Sequence, residues 1–108
     1  MERSQSAGPA GLPRYAALVL EVVERVPAGQ VVTYGDVAEY LGEGGPRQVG
    51  AVLARYGSAV PWWRVLRAGG WPPVGKEQRA LAAYRREGTA LSADARRVDL
   101  RLARWTGD

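Results

Sequence analysis

Apolar positions recur at helical spacing in several stretches of this chain, separated by short apolar pairs and by turns rich in glycine and proline. From Pro13 to Val26, the residues Tyr15, Leu18, Val19, Val22, Val23 and Val26 share one face, with Glu21, Glu24 and Arg25 on the other. That spacing predicts an amphipathic helix, with Pro13 in its first turn and Pro27 ending it. Residues 27–30 read as a turn and Val31-Val32 as a short extended piece. Thr33-Tyr34-Gly35-Asp36 has capping-box spacing, so Thr33 is expected to cap a short helix, Tyr34 to Leu41, that buries Val37, Ala38 and Leu41. After Gly42-Glu43-Gly44-Gly45, Pro46 opens a third helix that runs to about Tyr56.

The third helix has two unlike faces. Val49, Val52, Leu53 and Tyr56 fall at core spacing. The other face carries Arg47, Gly50, Ala51 and Ala54, where an exposed helix would normally hold long charged side chains. Such a bare strip lets the helix backbone approach another surface closely. Two short helices joined by a glycine turn read as a helix-turn-helix, with Arg47 near the start of the second. The alternative is that Gly50 and Ala54 pack beneath another helix of the same chain.

Beyond it, Trp62 to Leu66 is expected to be extended, and Arg67 to Pro73 a loop. Lys76 to Glu87 reads as a fourth helix, with Leu81 and Tyr84 inward and Arg79, Arg85, Arg86 and Glu87 outward, ended by Gly88. Val98 to Leu102 alternates like a strand, and Trp105 is expected to pack on the body. The fold class expected is mainly α with short β segments, a small helix-turn-helix domain of winged-helix-like type. It would span residues 12–108, behind a disordered leader at 1–11. A single chain of 108 residues is long enough for one modest core, and a monomer is expected.

Composition narrows the chemistry. The chain has no cysteine and no histidine, which removes thiolate nucleophiles, thiolate metal sites and the commonest general base. Its carboxylates are scattered, so no metal or other cofactor is expected. No apolar run is long enough to cross a membrane. The net charge is +4, and all but one of the 15 Lys and Arg residues are arginine, whose planar fork suits phosphate and stacks on bases. An anionic partner follows, nucleic acid first, although a GC-rich genome would give the same arginine excess. Val60-Pro61-Trp62-Trp63-Arg64-Val65 stands out, since two adjacent tryptophans beside a cation serve either as core or as a stacking surface.

Three motifs in order resemble the O6-alkylguanine-DNA alkyltransferases. The run from Val26 to Ala38 resembles the opening of their DNA-binding domain, and Pro46-Arg47-Gln48-Val49-Gly50-Ala51-Val52-Leu53 their recognition helix. Pro61-Trp62-Trp63-Arg64-Val65 resembles their active-site Pro-Cys-His-Arg-Val. The resemblance covers roughly residues 13–90 and is nearest to the alkyltransferase-like proteins, in which tryptophan replaces the acceptor cysteine. Two departures stand: Trp63 occupies the histidine position, and the segment between Tyr56 and Pro61 is shorter than in the alkyltransferases.

The resemblance implies a recognition helix in the minor groove, with Arg47 in the place of a flipped nucleotide and Tyr34 pressing on its phosphate. Thr33, Gly35, Gln48, Gly50, Ala51, Ala54 and Arg55 are expected to contact DNA. Leu53, Pro61, Trp62, Trp63, Arg64 and Val65 are expected to line the pocket for the flipped base. Trp63 is divided between core and pocket, and Arg64 between orienting its loop and touching the lesion. With the acceptor cysteine and neighbouring histidine both absent, no enzymatic alkyl transfer is expected. The implied function is a non-enzymatic sensor that binds duplex DNA carrying O6-alkylguanine, in the cytoplasm on the nucleoid, and flags it for nucleotide excision repair proteins. The rival reading is a helix-turn-helix regulator without lesion specificity, which would need long polar side chains on the recognition helix.

Overall fold

A computed structural model describes residues 12–107; the expected leader at 1–11 lies outside them. Helix α1 spans Arg14–Arg25, with Pro13 one place earlier than expected, as the residue before the helix. Its buried side is Ala16, Val19, Val22 and Val23, and Val26 turns extended ahead of Pro27. A two-residue strand β1, Val32–Thr33, leads straight into α2, Tyr34–Leu41. The capping box is formed in both directions: the Asp36 N–H donates to Thr33 Oγ1 and the Thr33 N–H to Asp36 Oδ2, each at 3.0 Å.

Helix α2 ends at Gly42 in the left-handed conformation, and α3, Pro46–Tyr56, begins with proline at its first position. The turn between them is pinned to α1. Arg14 holds the Glu43 carboxylate through two bonds of 2.9 and 3.0 Å, and Tyr15 Oη donates to the Glu43 carbonyl. Gly44 sits at φ 76°, and a Cβ there would run into the Tyr15 hydroxyl, so this glycine is required twice over. Helices α1, α2 and α3 pack on one another as a helix-turn-helix unit.

Short 3-10 turns follow at Gly57–Ala59 and Trp62–Arg64. The expected extended run from Trp62 is therefore confined to β2, Val65–Leu66. It pairs in parallel with β1, Val32 opposite Val65 and Thr33 opposite Leu66. All four strand residues are buried, consistent with a parallel pair covered on both faces.

Helix α4 spans Glu77–Glu87 and is stopped by left-handed Gly88. It turns Ala80, Ala83 and Tyr84 inward, while Leu81 is half-buried. The strand expected at Val98–Leu102 does not form. Val98 makes an isolated bridge to Leu91, after which the Asp99 carboxylate caps the Arg101 N–H and the chain winds into α5, Leu100–Ala103. The local cap at Asp99 outcompetes the alternation, which pairs only at the isolated bridge of Val98. Trp105 packs against the first of two core clusters, 5.9 Å from the Tyr40 ring.

The two clusters divide the labour. One joins α1, α2 and α3 around Val23, Val37, Val49 and Val65. The other joins α4 and the tail around Tyr84, Leu66 and Trp62. The segment 60–66 runs between them, so whatever it carries is held from both sides.

Candidate nucleic-acid interface

Helix α3 presents the bare face that its sequence forecast. Arg47, Gln48, Ala51, Ala54 and Arg55 are exposed and Gly50 half-exposed, while Val49 and Leu53 are buried beneath them. Val52 and Tyr56, expected in the core, are half-buried. Gly50 answers the alternative of internal packing. A Cβ built there meets nothing within 4 Å, so no neighbouring element of the described chain needs the glycine. Glycine inside a helix costs about 1 kcal/mol relative to alanine, and here that cost has no return in packing.

Beside this face lies a recess of about 230 Å³, smaller than the ~300–1,000 Å³ typical of drug-sized clefts. Gly50, Leu53 and Ala54 of α3 contribute to it, with Tyr34 from the first turn of α2. Trp62 lines it, and Arg67, Pro73, Val74 and Lys76 complete it. Tyr34 is half-buried; burial raises its hydroxyl pKa, against the opposing charge of Arg67, so the neutral form prevails at pH 7. Trp62 is 8% exposed, with Lys76 Nζ 4.9 Å and Arg79 Cζ 5.2 Å from its ring centroid.

The expected pocket residues thus part company. Leu53 and Trp62 line the recess; Pro61, Trp63, Arg64 and Val65 do not. Val65 is wholly buried in the first cluster, because β2 pairs with β1 there. Pro61, Trp63 and Arg64 lie along a separate shallow depression with Glu24 and Val60. The cause is the 3-10 turn at Trp62–Arg64, which sends successive side chains different ways where an extended strand would have alternated them.

What holds Trp63 and Arg64 is Glu87, expected outward and found inward. Its carboxylate accepts from Trp63 Nε1 at 2.9 Å, Arg64 Nη2 at 2.7 Å, Arg64 Nε at 3.1 Å and the Gly29 N–H at 3.2 Å. Arg64 also donates to the Val26 carbonyl, and the Tyr84 hydroxyl to that of Trp63. Burial pushes the Glu87 pKa up, but these hydrogen bonds and the Arg64 charge outweigh it, leaving it below the ordinary glutamate value. Arg64 is thus held by Glu87 and the Val26 carbonyl and does not line the recess.

Thr33, expected at the DNA surface, is 7% exposed with its hydroxyl committed to the capping box. Gly35 is half-exposed in the first turn of α2. Arg67, Pro73, Val74 and Lys76 are recess residues that the sequence reading missed, and Arg79 lies over the Trp62 ring beside them. Sequence pattern puts Arg67 and Pro73 in an irregular loop and Lys76 at the start of a helix, although a cation directly after the strand that follows Trp62 is a usable signal.

Known proteins fit this geometry. The sequence profile described as the DNA-binding domain of 6-O-methylguanine DNA methyltransferase matches residues 14–90. The chain is 39% identical over 95 residues to a DNA base-flipping protein of Escherichia coli K12, covering 81% of this chain and 70% of that protein. A DNA base-flipping protein of Vibrio parahaemolyticus is 34% identical over 62 residues, covering 55% of this chain and 62% of that one. In three dimensions the fold superposes on S. pombe Atl1, solved in complex with damaged DNA containing O6-carboxymethylguanine, with a TM-score of 0.73 and 27% identity. That match covers 85% of this chain and 94% of Atl1. The O6-methylguanine-DNA methyltransferase of Pyrococcus kodakaraensis gives a TM-score of 0.62 and 30% identity, over 73% of this chain and 48% of the methyltransferase. The profile match over residues 14–90, the identity to the base-flipping proteins and the shared fold show that this chain belongs to the 6-O-methylguanine DNA methyltransferase DNA-binding-domain family and resembles its alkyltransferase-like branch.

Proposed function

We propose that this protein senses O6-alkylguanine in duplex DNA and leaves the lesion in place. The observation that carries the reading is the recess beside α3 with Trp62 on its wall, at the position matching the alkyltransferases' acceptor cysteine. In this reading α3 lies in the minor groove, where only a slim helix face fits, and Gly50, Ala51 and Ala54 keep it slim. Gln48, Arg55 and the Gly35 turn approach the backbone. Arg47, exposed in the first turn of α3, fills the gap left in the stack, and Tyr34 turns the nucleotide toward the recess. Flipping costs a few kcal/mol and is easiest where pairing is already damaged, which itself favours a lesion. Stacking on Trp62 returns ~1–3 kcal/mol.

Indole does not accept an alkyl group, so the complex ends in binding. Such a complex is useful when another system removes the damage, and nucleotide excision repair is the partner this reading assigns, acting with a monomer of this protein on the nucleoid. Among the described residues no helix is long and apolar enough to cross a membrane.

The test is a titration of labelled duplexes that differ by one O6-methylguanine, at one fixed salt concentration because phosphate contacts alone give salt-steep, sequence-blind binding. The expected result is a clear preference for the modified duplex, methyl group retained, and its loss in Arg47→Ala. Equal binding of both duplexes would return the protein to a helix-turn-helix binder without lesion specificity.

A further inference from the structure

The recess carries charge that stacking alone does not use. Arg67 and Lys76 both line it, Arg79 lies over the same indole as Lys76, and no carboxylate is among its lining residues. Lys76 is the chain's one lysine, and among the described residues it makes no ion pair. Arg67 is fixed by its Nε, which donates to the Pro72 carbonyl at 2.8 Å. Glu77, next to Lys76, is exposed on the first turn of α4 and does not line the recess.

The apolar part of the cavity, Leu53, Val74 and the Trp62 face, can take an alkyl group of any kind. The cations discriminate further. An alkyl group pressed against them strips their water and supplies no partner, and a carbamoyl offers only an uncharged acceptor, whereas a carboxylate in the same place forms the stronger charge-assisted hydrogen bond. A lysine ammonium, compact and on a flexible stem, can follow such a carboxylate within a small cavity better than a rigid guanidinium can. Resting on the reading that the recess receives the turned-out base, we propose that it selects O6 substituents ending in an anion, and that Lys76 is the residue that selects them. The carboxymethyl group is the shortest carboxyalkyl group of this kind.

The experiment compares four duplexes of one sequence at one salt concentration: undamaged guanine, O6-methylguanine, O6-carboxymethylguanine, and O6-(carbamoylmethyl)guanine, the neutral near-isostere. The wild-type protein is expected to bind the carboxymethyl duplex about fivefold tighter than the carbamoylmethyl duplex, the scale of one solvent-touched charge pair. In Lys76→Gln that ratio should fall to about one, whatever happens to the absolute affinities, and in Lys76→Arg, which keeps the charge, it should persist. Equal binding of the charged and neutral lesions by the wild type overturns the proposal, and so does a preference that survives Lys76→Gln. Failure to distinguish any modified duplex from undamaged guanine overturns the recess reading itself, a separate and recognisable outcome.

Discussion

Trp62 and Trp63 are adjacent in the chain and touch edge to face, ring centroids 5.6 Å apart at 84°, yet they belong to different machines. Trp62 lines a recess beside the bare face of α3, with Lys76 and Arg79 on its ring and no hydrogen bond from its indole nitrogen among the described residues. Trp63 points the other way and gives its Nε1 proton to a partly buried carboxylate that also holds Arg64. One tryptophan borders the recess beneath two cations, and the other is tied down at its edge. The difference teaches that two adjacent tryptophans need not make one doubled aromatic surface. Trp62 borders the recess, and Trp63 anchors the turn on which Trp62 is mounted.

The largest expected effect lies on the anchoring side. Glu87→Ala removes four hydrogen bonds and leaves Arg64, with 16% of its side chain exposed, without its partner. Breaking a pair this enclosed should cost about 3 kcal/mol of stability, read as a lowered midpoint in urea unfolding. On the recess side, Trp62→Ala should lower the ratio of lesion to undamaged binding by about tenfold or more, the equivalent of ~2 kcal/mol of lost stacking. It will also destabilise the second core cluster, so the ratio, measured on folded protein, is the deciding quantity. If Glu87→Ala lowers the ratio as far as Trp62→Ala does, the division between the two tryptophans is wrong.

Helices α1 to α4 could be read in the sequence because each rests on local chemistry. The capping box at Thr33 and Asp36, Pro46 ahead of α3 and Gly88 behind α4 all act within a turn of where they stand. The site was legible where it lies on such a helix, in the bare strip of α3, Leu53 beneath it and Tyr34 on α2, and at Trp62, which the motif resemblance marked. Glu87 was misread because an acid at the end of an arginine-rich helix looks solvated. Its inward turn depends on Arg64 and Trp63, 23 and 24 residues earlier, and on Gly29, 58 residues earlier. Lys76 and Arg67 were missed for the same reason: cations in a loop reveal a cavity only once the loop is closed. The turn at Trp62–Arg64 lies between these cases, since a stretch three residues long does not separate a 3-10 turn from a strand.

Trp63→Phe sharpens the comparison at smaller cost. It keeps a ring beside Arg64 and Arg86, whose guanidinium carbons lie 5.7 and 6.0 Å from the indole centroid, and removes the Nε1 donor to Glu87. Glu87 retains Arg64 and Gly29, so the loss should be about 1 kcal/mol in stability, with the lesion ratio unchanged. A fall in the ratio would mean that the edge contact between the rings transmits the anchor to the recess.

The smallest effect is a pH dependence, and its sign follows from Glu87. Burial works to raise this carboxyl, but the hydrogen bonds from Arg64, Trp63 and Gly29 and the Arg64 charge hold its folded value below the ordinary one. A depressed folded value means that the fold favours the ionised form. The stabilisation is fully present above the unfolded value of ~4.3 and is lost as pH falls through the folded value. Exposed Glu43 and Asp94 are also held low, by Arg14 and by Ser92, so the acid limb of the wild-type curve is not Glu87's alone. Glu87→Gln isolates it. Urea unfolding between about pH 5 and 3, the range in which carboxylates titrate, should show a lower plateau for Glu87→Gln but a shallower decline. The difference in slope should be a fraction of the ~1.4 kcal/mol per pH unit that one full proton gives. Parallel curves would show that the carboxylate is no better off in the fold than in the unfolded chain, and the anchor holding Trp63 would then rest on packing rather than on charge.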